Sequence, residues 1–98
     1  MTTQTRDYSD VESVKEFYEG LNHFYGMFVK AKERNEKLEP NTKGYLKLFC
    51  KEAMKIPFYV RREFEGFDQK LEEMLNDPDL AFKERHKSFF YATRQSVN

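Results

Sequence analysis

The sequence predicts an all-α protein, a compact bundle of three or four antiparallel helices with a break or kink at Pro57, forming one domain over residues 1–98. Three observations predict it. Apolar residues recur at steps of three and four over most of the chain, the period of one helix face. Only four Gly and three Pro interrupt 98 residues. The segments between candidate helix ends are a few residues long, which favours antiparallel neighbours. A chain of this length buries only about 60–65% of its unfolded surface, enough for one core and not for two. The ends, residues 1–8 and 95–98, carry no pattern and are expected to fray.

The first helix is expected to start where Ser9 is followed three positions later by Glu12, a spacing that lets each side chain cap the other's backbone N–H. Val11, Val14, Tyr18, Leu21, Tyr25 and Phe28 then follow the helical period, with Phe17, Phe24 and Ala31 widening the stripe. Pro40 restricts Glu39, so the helix is expected to end near Leu38. A second helix is expected from about Thr42, with Tyr45, Phe49, Ala53 and Ile56 toward the core and Lys43, Lys47, Lys51 and Lys55 four apart on another face. Pro57 has no amide hydrogen and clashes with the preceding turn, so the helix must kink or restart there. Val60, Phe64, Phe67, Leu71 and Met74 resume the period in a third helix, and Asn76-Asp77-Pro78 ends it and caps a last helix carrying Leu80, Phe82, Phe89 and Phe90 and fading after Arg94.

With 17 basic and 17 acidic side chains, the molecule as a whole has no field to draw it to nucleic acid or an anionic membrane. Its longest apolar run, Ile56 to Val60, is far below the ~20 residues that span a bilayer. No targeting signal is evident in Met1 to Asp10, and the single Cys50 has no partner for an internal disulfide; both point to an intracellular protein.

No catalytic arrangement is legible: there is no Gly-rich phosphate loop, Cys pair, nucleophile elbow or His-Glu-x-x-His motif. The expectation is therefore no enzyme, no cofactor and no metal. Glu19 and His23, four apart, have the spacing of two metal ligands but lack a second pair, and read as a surface pair. His86, between Arg85 and Lys87, reads as a helix-face residue, and Cys50 as a buried thiol. Gly20 and Gly26 inside the first helix each cost about 1 kcal/mol relative to Ala, which a close helix approach, room for a partner or simple tolerance would explain.

The charges are segregated along the chain. Residues 42–62 hold six basic side chains against Glu52 alone, and residues 63–84 hold eight acidic against Lys70 and Lys83. These halves either neutralise each other inside the bundle or leave a lysine stripe for phosphates or an acidic partner. Ten Phe and six Tyr without Trp are a heavy aromatic load. They either replace Leu and Ile in the core or reach the surface, and rigid aromatics beside Arg61, Arg62 and Arg94 are the composition of an interface centre. The candidate partner-binding residues are Lys47, Lys51, Lys55, Phe58, Tyr59, Arg61 and Arg62.

At Leu21-Asn22-His23-Phe24-Tyr25, with Pro40, Tyr45 and Gln69-Lys70-Leu71-Glu72, the chain resembles small helical accessory subunits of mitochondrial respiratory complex I, including the LYR-motif type. The likeness covers roughly residues 20–75 and rests on common helical residue types. Phe24-Tyr25-Gly26 has Gly where the motif has Arg, and Phe17-Tyr18-Glu19 has Glu, so no functional residue is carried over. The resemblance implies a mitochondrial location and attachment to a larger assembly.

The leading expectation is a non-catalytic protein-binding accessory subunit or adaptor. A small phage-type inhibitor that blocks a host enzyme or nucleic-acid machine is the alternative with the same surface chemistry, and nucleic-acid binding through the lysine stripe is the alternative from another class. A homodimer is expected as well, because small bundles with surplus apolar surface gain stability by symmetric pairing.

Overall fold

A computed structural model describes residues 8 and 10–95 of the chain, with side chains to residue 92. Five helices follow in order: α1 Val11–Glu33, α2 Pro40–Ala53, α3 Phe58–Arg61, α4 Phe67–Leu75 and α5 Glu84–Gln95. No strand occurs among the described residues. The expected cap Ser9, the Arg94 side chain and the expected fraying at residues 1–7 and 96–98 lie outside those descriptions. Tyr8, expected to fray, is held instead: its hydroxyl donates to Glu52 Oε1 at 3.1 Å and its ring meets Phe17 edge-on.

The cap of α1 that the structure does describe is Asp10, whose carboxylate accepts from the Ser13 N–H at 2.9 Å. The helix ends five residues before Leu38, at Glu33. Asn35 turns left-handed there (φ 56°) while Glu36 N–H bonds Ala31 O and Asn35 N–H bonds Lys32 O, the paired closure of a Schellman end. Asn tolerates that backbone better than most residues, so Asn35 was the stop signal and Pro40 is the next start. Pro40 occupies the first turn of α2, where a missing N–H costs nothing.

The chain breaks at Pro57 as the sequence predicts. After Ala53 the N–H groups of Lys55 and Ile56 close short turns, and Pro57 in extended conformation caps the single turn α3. A second interruption replaces the expected continuous third helix. Gly66 sits at φ 73°, where a side chain would be strained, and lets the chain restart as α4. Val60, Phe67, Leu71 and Met74 are nevertheless all buried, because any segment that tracks one core needs a one-sided apolar stripe, continuous or not. Asp77 caps only a single turn, accepting from the N–H groups of Asp79 and Leu80. Ala81 then turns left-handed, so Leu80 and Phe82 fill the core from a connection rather than from α5.

The three longer early helices run up, down and up. Phe17 and Phe24 of α1 both pack on Phe49 of α2, and Phe24 stacks on Tyr45, so α1 and α2 are antiparallel. Along α4 the contacts advance with α1: Tyr18 stacks on Phe67, Lys70 Nζ bonds Asn22 Oδ1, Tyr25 donates to Glu73 at 2.6 Å, and Lys32 pairs with Asp77 at 2.8 Å. Leu21, Leu46, Cys50, Leu71 and Met74 are fully buried between these helices, and Phe90 brings α5 onto the same core. Gly20 makes room for a side chain of α2, since a Cβ there would lie 3.0 Å from the Phe49 ring, whereas a Cβ on Gly26 meets nothing within 4 Å.

Candidate protein-interaction face

The seven side chains expected to meet a partner divide between core and surface. Arg61 is the correction. It is fully buried, with Nε 2.8 Å from Asp68 Oδ1, one terminal nitrogen donating to Ile56 O at 2.7 Å, and its guanidinium between the Phe58 ring at 5.6 Å and the Phe90 ring at 5.3 Å. A cation so enclosed is tolerated only with such partners, because they offset its lost hydration, and none of it faces solvent. Phe58 is half-buried against it. Arg62 and Lys55 are exposed, Lys55 pairing with Glu52 at 2.9 Å, and Tyr59 keeps half its surface.

The lysine row of α2 also divides. Lys43 is drawn to Asp79 at 3.2 Å, and the Lys47 ammonium rests 5.7 Å from the Phe82 ring centre. Asp79 also accepts the Leu38 N–H; that bond and Lys43 hold its carboxyl below the usual carboxylate range. Three acids of the 63–84 segment thus neutralise basic residues from the rest of the bundle, Asp68 with Arg61, Asp79 with Lys43 and Asp77 with Lys32. Lys51 is exposed and pairs with no described carboxylate.

The core side of α2 is Leu46, Cys50 and Ala53, all at 0% exposure; of the expected stripe Ala53 and Ile56 are buried and Phe49 is half-buried, but Tyr45 is exposed. The helix is therefore rotated by less than one residue position, under about 100° on the wheel, with Ala53 common to both faces. Its rotation leaves Tyr45 57% and Leu48 61% exposed, one turn apart on the outer surface. They form an apolar ridge between two grooves. One, of about 540 Å3, lies toward α1 and is bounded by Glu16, Phe17, Phe49 and Glu52; the other, of about 430 Å3, is bounded by Asn41, Gly44, Lys47 and Lys51. Leu48 belonged to neither stripe read from the sequence. The run Leu46, Phe49, Cys50, Ala53 is itself a helical face and would have placed Tyr45 and Leu48 outside.

Behind the basic groove, His86 on α5 meets the edge of the Phe82 ring, and its Nδ1 is buried with no hydrogen-bond partner. Burial and the positive charges of Lys51, Arg85, Lys83 and Lys47 depress its pKa below the ordinary value, so the imidazole is neutral near pH 7. Cys50, 3.9 Å from the Met74 sulfur, has its thiol pushed up to about 12 by burial and is held as the unreactive thiol. Among the described residues no group of three or more His, Cys, Asp or Glu is placed to hold a metal, and no helix is long and apolar enough to cross a membrane. Glu19 and His23 both lie on the exposed side of α1.

Comparison of the chain with protein-family models, curated proteins and solved structures finds no match.

Proposed function

We propose that this chain is a non-catalytic protein-binding module, an accessory subunit or adaptor that docks through the outer face of α2. The observation that carries the reading is the exposed pair Tyr45 and Leu48, set between two grooves on a rigid helix. Large apolar side chains left in water on a well-packed element gain most when a partner covers them, and a mixed-charge rim gives such a contact its register. An inhibitor makes the same physical contact, so both biological roles share this surface.

A second reading, nucleic-acid or other polyanion binding, has its own support in the group of Lys47, Lys51, Lys83 and Arg85 whose charges converge on His86. It requires affinity that falls steeply with salt, since phosphate contacts release counterions.

The test of the leading reading is affinity purification of the tagged chain from its native cells, beside a Leu48→Glu variant shown by circular dichroism to be folded. Stoichiometric partners that survive a moderate salt wash with the wild type and vanish with the variant are the expected result. Equal recovery by both would overturn the assignment of this face.

A further inference from the structure

The two flanks of the α2 ridge carry opposite charges. Toward α1 stand Glu16 and Glu52; toward α5 stand Lys47 and Lys51. Glu52 is already bonded to the Tyr8 hydroxyl and to Lys55. Glu16 and Lys51 are exposed and form no ion pair with any described residue, so they are the charges this face presents outward. An apolar strip with an acid on one side and a base on the other is self-complementary, provided the two copies meet in one particular sense.

Two identical surfaces placed face to face are related by a two-fold axis lying in the contact plane. If that axis runs along α2, each copy's acidic flank faces the other's basic flank, and Leu48 packs on Leu48. If it runs across α2, like charge faces like on both sides, which is repulsive at both rims. We infer that the outer face of α2 pairs with the same face of a second copy, in a symmetric dimer whose two α2 helices run in the same direction, Glu16 of each opposite Lys51 of the other. Gly44, one turn before Leu48 and with open space where a Cβ would stand, permits close approach of the two helix backbones. The inference rests on the reading of this face as a contact surface and names its occupant.

Sedimentation equilibrium of the full chain from micromolar to near-millimolar concentration is the first experiment, with folding of every variant checked by circular dichroism. A dimer whose dissociation constant rises at least tenfold in Leu48→Glu is expected, because the change places an unpaired charge in the contact. Glu16→Lys and Lys51→Glu each oppose like charges at two symmetric sites and are expected to weaken self-association about tenfold. Mixed together they restore it, since every contact in the mixed dimer again joins unlike charges. A cysteine introduced as Asn41→Cys near the start of α2 is expected to form a disulfide with its own counterpart, because helices running in the same direction bring the two starts together.

A chain that stays monomeric throughout, a dimer indifferent to Leu48→Glu, or a mixture no tighter than its components would each overturn the inference. If the chain is monomeric but Leu48→Glu still abolishes capture of a cellular partner, the dimer fails and the contact face stands. If capture also persists, both fail.

Discussion

The Arg61 site and the outer face of α2 look alike in sequence and are opposites in space. Each sets basic side chains among aromatic and aliphatic ones, Phe58-Tyr59-Val60-Arg61 in one case and Tyr45-Leu46-Lys47-Leu48 in the other. Arg61 is closed off completely, while Tyr45 and Leu48 keep more than half of their surface. What separates them is the availability of an acid and a carbonyl. Gly66 turns the chain so that Asp68 reaches the Arg61 guanidinium, which the Ile56 carbonyl ahead of α3 also meets, whereas Tyr45 and Leu48 on the outer side of α2 stay exposed. A basic-aromatic composition therefore marks a core as readily as an interface; the partner of the charge decides which.

The comparison breaks most severely at Arg61. Arg61→Ala removes the donor that Asp68 and the Ile56 carbonyl share and is expected to cost about 3–5 kcal/mol, read from urea unfolding. The pair Arg61→Leu with Asp68→Leu is expected to recover part of that loss, because neither member of the ion pair is left behind without the other. The exposed Arg62 beside it provides the contrast, with Arg62→Ala within about 0.5 kcal/mol of wild type.

A smaller effect sharpens the packing beneath the α2 ridge. Gly26→Ala meets no neighbour and is expected to stabilise α1 by about 0.5–1 kcal/mol through helix propensity. Gly20→Ala makes the same backbone change but drives its Cβ to 3.0 Å from a Phe49 ring held between Phe17 and Phe24. Overpacking of about 1–3 kcal/mol then offsets or exceeds the gain. The thermal unfolding midpoint is expected to rise in Gly26→Ala and to stay level or fall in Gly20→Ala, and equal stabilisation would mean that α1 and α2 are not in close contact at Gly20.

The smallest effect concerns Asp79, which ties the α1–α2 connection to the turn before α5. Its carboxyl titrates lower when folded than when unfolded, because the Leu38 N–H and Lys43 favour the charged form. Its contribution is thus present above the ordinary carboxylate range and is lost as pH falls through the folded value. Asp79→Asn is expected to lower the unfolding midpoint at neutral pH and to converge on the wild type in acid. A gap that persists unchanged into acid would show that its charge contributes nothing.

The fold class, the break at Pro57 and the buried stripes of α1 and α4 were legible because each follows from period and proline chemistry alone. Leu21, Phe28, Leu71 and Met74 fall where the spacing puts them. The end of α1 was misread because Asn35 is a weaker stop signal than glycine, and Gly66 because the apolar period runs across it. Of the candidate interface, Lys51, Lys55, Tyr59 and Arg62 are at the surface as expected. Arg61 was not legible as buried, since its partner lies seven residues away beyond a turn that the pattern conceals. Tyr45 falls on one of two apolar stripes that compete on α2, and packing on other elements, Met74 against Cys50 and Phe17 and Phe24 against Phe49, chooses between them.

The central claim, that the outer face of α2 is the protein's contact surface, is tested most directly by the amount of bound protein, a second copy included, retained by Leu48→Glu relative to wild type at equal thermal stability. Leu48 is 61% exposed, so the unfolding midpoint should not move, and binding should fall at least tenfold. Undiminished binding by the folded variant would contradict the account.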